Sequence, residues 1–262
     1  MSRSQRVKRT PAKAKQAGSR AVSAARGSGS GHAGMYAGIA VIVVLAVVVA
    51  IGVLASRSQH SAQPIPPVRV AAGYPVDVRE GVVVAGAPGA SITVDAYEDF
   101  LCPVCGEFES QHATKIQQAL TAGRIIVRYH MLNLLQERSN PPGYSLQAAS
   151  VGLCAAKAGV FPSYHASLYA KQPAEGAAGY TVDQLVTLGG ALGAKGGFES
   201  CARSGTYDAA VKAQLSAAGS DPALVRQGPS GPSFGTPTVL VNGKVIEVLS
   251  PAGSAQFDQL IS

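Results

Sequence analysis

The feature that most limits what this chain can fold into is Cys102-Pro103-Val104-Cys105, together with its flanks. Before it, Ile92 to Tyr97 alternates with β-branched residues and reads as a core strand. After it, Phe108, Ala113, Ile116, Ala119 and Leu120 recur at helical spacing, and Gly123 suits the helix C-terminus. Ile125 to Met131 reads as a second strand. Two strands joined by a helix of this length make a right-handed βαβ unit with parallel strands. The first thiol then lies where a helix presents free N–H groups and its positive end, which favours thiolate. That makes Cys102 the nucleophile. Cys105, one turn further in, is the resolving thiol, and Pro103 suits a first turn that needs no N–H. Zinc would need four ligands, and Cys154 and Cys201 stand alone in sequence. An inert bridge across so tight a loop gains the least chain entropy. The pair therefore reads as redox-active, with no metal and no cofactor.

Elsewhere the chain divides by composition. Residues 1–34 carry eight basic side chains and no acid, so the formal charge of +7 belongs to a tail and the remainder is close to neutral. This excludes a basic nucleic-acid-binding domain, and 47 % hydrophobic residues exclude full-length disorder. Within 35–56, the run 36–55 is uncharged and would span about 30 Å as a helix, the hydrocarbon thickness. Basic residues before it place the N-terminus in the cytoplasm and the rest outside. A cleaved signal peptide, with Val53-Leu54-Ala55 as the cleavage site, is the rival reading, though the run exceeds a usual signal core. Residues 57–80, with Pro64, Pro66, Pro67 and Pro75, read as a linker, and 81–262 as one domain.

In that domain Val82-Val83-Val84 is a short strand candidate, and residues 142–226 look helical with glycine breaks. Pro237 to Val241, Asn242-Gly243 and Lys244 to Val248 spell a β-hairpin, and 252–261 a last helix. A proline opening a strand raises the expectation of a cis Thr236–Pro237 bond. Such a turn leaves the Thr236 N–H and C=O to pair with an extended peptide. Outside the cytoplasm an even cysteine count favours a structural Cys154–Cys201 disulfide. It would close 48 residues, worth about 4 kcal/mol in the chain-entropy account. A free pair or a second relay stays open. His112 reads as a core or rim residue, His130 ends a strand, and the Phe161, His165, Leu168 spacing reads as packing.

Together these pieces resemble the DsbA-like thiol:disulfide oxidoreductases of the thioredoxin superfamily. The resemblance is carried by Ser91–Tyr97, Glu98-Asp99-Phe100-Leu101-Cys102-Pro103-Val104-Cys105, the block holding Phe161 and His165, and Phe234-Gly235-Thr236-Pro237-Thr238 before Val241-Asn242-Gly243. It covers about residues 80–262, and the anchor and Ala/Gly/Val-rich composition look like actinobacterial members. It implies an α/β thioredoxin fold with an inserted helical subdomain, preceded by one transmembrane helix, and Pro237 as the cis-proline beside the dithiol. It further implies a membrane-held catalytic domain outside the cytoplasm that introduces disulfides into unfolded exported proteins. A membrane quinone-linked partner, DsbB-like or of the vitamin K epoxide reductase type, would reoxidise it. Three positions depart from relatives. Leu101 replaces the tryptophan of thioredoxin itself. Ala96 stands where many relatives bury an acid, leaving Asp95 and Glu98 as candidates for proton transfer. Val104 gives no cationic help, so the thiolate should be less extreme than the value of about 3.5 in strongly oxidising relatives. The rivals are a reductase or isomerase of the same fold, or a non-catalytic module binding peptides at Thr236–Pro237. An isomerase would need a dimerisation domain, for which 57–80 leaves no room.

Overall fold

The computed structural model describes residues 64–228 and 231–262. The readings of the basic tail, the apolar segment 35–56 and the first part of the linker lie outside the described residues. Among those described, no helix is long and apolar enough to cross a membrane.

The expected βαβ unit forms the centre. Strand β3 (Ile92–Glu98) leads into helix α1 (Pro103–Thr121), which returns to β4 (Ile125–Met131). β3 and β4 pair in parallel, Ile92 opposite Ile125 through Glu98 opposite Met131. Gly123 takes the left-handed conformation (φ 69°) that lets α1 stop. Two further strands extend the β4 side: β1 (Val76–Arg79) and β2 (Val82–Ala85), antiparallel to each other, with β2 antiparallel to β4. On the other side, past the short antiparallel pair β5 (Arg226–Gly228) and β6 (Gly231–Ser233), β7 (Thr238–Val241) pairs antiparallel with β3, and β8 (Lys244–Ile246) with β7. The six-stranded order is β1-β2-β4-β3-β7-β8, so β3, which delivers the dithiol, is central. The β7–β8 turn is Asn242-Gly243, both at positive φ (50° and 76°), as a two-residue hairpin requires.

The block read as helical contains α2 (Tyr144–Lys157), α3 (Phe161–Ala170), α4 (Val182–Leu192), α5 (Phe198–Ser204) and α6 (Asp208–Ser220). Helix α2 is buried along most of its length because its side chains are small: Ala148, Ala149, Gly152, Ala155 and Ala156 let neighbours approach. A Cβ on Gly152 would stand 3.3 Å from the Phe100 ring, so that helix sits directly behind the dithiol loop. Thr181 starts α4 with a reciprocal capping box to Gln184. The last helix, α7 (Pro251–Ile261), packs Phe257 on Phe108 and His112 of α1.

The second half of the segment read as a linker belongs to this body. β1 lies within it, Ile65 is buried, and the Val68 and Val70 N–H groups donate to Ser167 Oγ and Ser163 Oγ of α3. Its prolines signalled a linker, but an extended chain that borrows side-chain hydroxyls needs no strand pattern of its own.

Candidate active site

The end of β3 and the turn after it are fixed by one buried side chain. Asp99 accepts from the Leu101 N–H (Oδ1, 2.8 Å) and from the Leu135 N–H (Oδ2, 2.8 Å). Burial raises its carboxyl, against the pull of those N–H groups. Cys102 then serves as the N-terminal cap residue of α1, with extended backbone and Pro103 in the first turn. The Cys102 carbonyl accepts from the N–H groups of Cys105 (3.0 Å) and Gly106 (3.2 Å). From the helical block, Gln172 Nε2 donates to the carbonyls of Phe100 (3.1 Å) and Cys102 (2.8 Å). Gln172 therefore clamps the loop, and a Cβ on Gly106 would meet its Oε1 at 2.5 Å. Sequence reasoning missed this residue, since nothing in the pattern around position 172 marks it.

Cys102 and Cys105 are both reduced, and both are buried, Cys102 at 6 % exposure and Cys105 at 0 %. The Thr236–Pro237 bond is cis, and the Cys102 Sγ donates to the Thr236 carbonyl at 3.3 Å. The structure thus brings Cys102, Cys105 and Thr236-Pro237 together. The expectation that both Thr236 backbone groups stand open changes in one respect: the reduced Cys102 occupies the carbonyl.

The Cys102 thiol falls from its ordinary 9.0 to about 6. The main cause is the Cys105 thiol, which donates to the Cys102 sulfur. Burial opposes it, while Thr236 and the N–H groups of Cys105 and Val104 assist. The shift is moderate, and Val104, between the two cysteines, adds no cation to it. Cys105 moves the other way, well above the usual thiol range, because it is buried, lies beside Cys102 and feels the Glu98 charge. The fold thus lowers one thiol of the pair and raises the other.

The two candidate carboxylates separate cleanly. Asp95 is engaged by Arg128 (Nε to Oδ1, 2.6 Å) and His130 (Nε2 to Oδ1, 3.1 Å). Burial would raise its pKa, but these two partners hold it below the usual range. Glu98 is fully buried, meets His165 Nε2 at 3.1 Å, and is the acid whose charge reaches Cys105. His165 packs on Phe100, Tyr129, Phe161 and Tyr169, as its spacing implied, but it also meets carboxylates that spacing could not reveal. Glu109 Oε2 lies 3.8 Å from its Nδ1. Glu98, Glu109 and His165 are the one group among the described residues whose ligand atoms lie close enough to hold a metal ion. The two ring nitrogens, however, face different carboxylates, the arrangement of a hydrogen-bonded cluster. The two other histidines among the described residues are packed or paired: buried His112 meets Asp258 at 2.8 Å, and His130 stacks on Tyr97. Cys154 of α2 and Cys201 of α5 form a disulfide.

A dithiol at the end of the central strand of a mixed sheet, with a cis-proline loop against it, defines a protein built for dithiol–disulfide exchange. A family model described as Thioredoxin matches residues 79–261, and the chain belongs to that family. It is similar to solved structures of two Mycobacterium tuberculosis proteins. Oxidised DsbA is 29 % identical with a TM-score of 0.56, covering 72 % of this chain and 93 % of that one. The reduced disulfide bond oxidoreductase DsbG is 30 % identical with a TM-score of 0.55, covering 68 % and 82 %. MdbA, a thiol-disulfide oxidoreductase from Corynebacterium diphtheriae, shares the fold at 20 % identity, with a TM-score of 0.61 and coverage of 74 % and 96 %. The chain is a DsbA-like thiol:disulfide oxidoreductase. It is also 33 % identical over 134 residues to the serine/threonine-protein kinase PknE of Mycobacterium tuberculosis, matching 49 % of this chain and 24 % of the kinase. The chain thus matches about a quarter of that curated relative.

Proposed function

We propose that this chain works outside the cytoplasm as a disulfide donor to exported proteins. The carrying observation is the Cys102 sulfur, held as thiolate by the Cys105 thiol, Thr236 and the start of α1. A stabilised thiolate favours the reduced form, so the oxidised pair gives up its disulfide readily. A substrate thiolate attacks the Cys102 sulfur, breaking the bond to Cys105, which leaves with the electron pair and takes up a proton. A second substrate thiolate attacks its own sulfur in the mixed disulfide and expels the Cys102 thiolate. Two electrons have then passed from substrate to enzyme. The substrate backbone pairs beside the cis Thr236-Pro237 bond.

The uncharged run 36–55 behind eight basic residues supports a membrane anchor with the catalytic domain outside, and the Cys154–Cys201 bridge suits an oxidising compartment. The reoxidant is then a quinone-linked membrane partner, DsbB-like or of the vitamin K epoxide reductase type.

The test is the reduction potential of Cys102–Cys105 in the full-length chain. The protein is equilibrated in glutathione buffers and trapped thiols are mapped by mass spectrometry, which separates this pair from Cys154 and Cys201. A value near or above about −180 mV is expected, and one near about −270 mV would make the protein a reductase.

A further inference from the structure

We propose that the cavity between α1 and α3 is a binding site for a small organic cation, an ammonium or amidinium group carried on a compact apolar body. The site is separate from the exchange chemistry, because none of the residues hydrogen-bonded to Cys102 lines it.

The cavity measures about 270 Å³, which is room for one small molecule. Buried Glu109, Tyr129, Phe161 and His165 form its floor, and exposed Ala113 and Thr114 of α1 stand at its rim. The three rings of the floor touch one another. Their centroids lie 5.3 Å apart for Tyr129 and Phe161, 5.0 Å for Tyr129 and His165, and 5.2 Å for Phe161 and His165. Such a cluster presents the negative π surface that draws cations. Glu109 sets a carboxyl beside it with no full cation to pair with. No lysine or arginine lines the cavity, and the one ion-pair partner of Glu109 among the described residues is His165 Nδ1, 3.8 Å away. Glu109 Oε1 is buried without a hydrogen-bond partner. Tyr129 is more than nine-tenths buried, and burial and neighbouring charges alone account for its raised hydroxyl, with no hydrogen bond among the causes. Tyr74 and Gln117, by contrast, are committed. Tyr74 Oη donates to Gln117 Oε1 at 2.6 Å, and Gln117 Nε2 donates to the Ala71 carbonyl at 2.8 Å. The floor therefore offers oxygen acceptors and ring faces and lacks positive charge. The complement is a charged N–H donor on an apolar body. An anion would meet Glu109 and, behind it, Glu98.

The groups facing Glu109 are Glu98 from β3, His165 and Tyr169 from α3, Tyr129 from β4 and Tyr74 from the N-terminal segment. Burial raises the three tyrosines, Tyr74 to about 12, so they stay uncharged near neutral pH. Burial and the Glu98 charge raise the Glu109 carboxyl well above its usual range, so it holds its proton at neutral pH. An entering cation favours the ionised carboxyl instead. Binding then breaks the Glu109 O–H bond, passes the proton to buffer and forms an N–H to carboxylate hydrogen bond. Affinity accordingly rises with pH while the ligand stays protonated.

Benzylamine is the probe and benzyl alcohol its uncharged counterpart. Each is titrated into the full-length chain by calorimetry at pH 6, 7 and 8, in phosphate and in HEPES, whose different ionisation heats report proton release. Benzylamine should bind about tenfold or more tighter than the alcohol, release about one proton at pH 7 and tighten as pH rises. Glu109→Gln should abolish the proton release and bring the two probes to within about twofold of each other. Ala113→Phe, which fills the exposed rim, should weaken benzylamine by about tenfold or more. Benzyl alcohol binding as tightly as benzylamine overturns the proposal. So does benzylamine binding without proton release, binding that Ala113→Phe leaves unchanged, or no binding of benzylamine. If thermal melting shows Glu109→Gln unfolded, the alcohol comparison, the proton release and Ala113→Phe decide.

Discussion

Replacing Cys105 with alanine isolates the interaction that most lowers the Cys102 thiol. The Cys105 thiol is the largest cause of the fall from 9.0 to about 6, ahead of Thr236 and the helix N–H groups. A hydrogen bond to a charged acceptor contributes about 1.5–3 kcal/mol, which is about one to two pH units of midpoint. Cys105→Ala should therefore titrate Cys102 between about 7 and about 8. The thiolate fraction at pH 7 then drops from about nine-tenths to between about one-half and one-tenth, and alkylation slows about two- to tenfold against its high-pH plateau. Cys105→Ser keeps a donor at the same place and should stay near 6. The assay is the pH dependence of iodoacetamide alkylation of Cys102 in the reduced full-length protein, with adducts mapped by mass spectrometry. An alanine variant that still titrates near 6 would refute the reasoning, because the start of α1 and Thr236 would then suffice without the second thiol.

Four further outcomes follow from the same geometry. Replacing both Cys154 and Cys201 by alanine should cost about 4 kcal/mol in chemical denaturation and leave the Cys102 titration unchanged; a loss under about 1 kcal/mol would contradict the loop-closure account. Gln172→Ala removes two bonds to the dithiol loop, so it should cost about 1–3 kcal/mol and slow exchange, and an unchanged rate would show that the clamp is idle. Asp99→Ala orphans the Leu101 and Leu135 N–H groups and should cost about 2–4 kcal/mol, with Asp99→Asn milder because it retains one acceptor; equal losses in denaturation would count against this. Finally, a lowered thiol pKa stabilises the reduced fold fully above the ordinary 9.0 and loses that effect as pH falls through about 6. Cys105, raised in the fold, acts only above that window. The Tm of the reduced protein relative to the oxidised should therefore fall between pH 8 and pH 5, and a constant difference would rule this out.

Local patterns made much of the fold legible. Ile92–Tyr97, the C-x-x-C pair and the helical spacing from Phe108 to Leu120 specify a strand, a loop and a helix in immediate succession, and a helix long enough to cross back over the sheet permits the parallel pairing with β4. Asn242-Gly243 fixes its turn because both residues tolerate positive φ. β1 was hidden because four residues of alternating burial inside a proline-rich stretch carry too little signal on their own.

What the sequence determined by itself was local: a C-x-x-C pair, which of its two cysteines sits at the helix start, and a proline that opens a strand. Those assignments rest on residues next to one another in the chain or on a single turn. The tertiary structure decided the environment of that chemistry. It took Asp95 to Arg128 and His130, set His165 between Glu98 and Glu109, and brought Gln172 and the Thr236 carbonyl to Cys102. These partners lie 33 to 134 positions apart in the chain. Their electrostatics depends on burial and direction, and both are set only when the sheet and the helical block pack together.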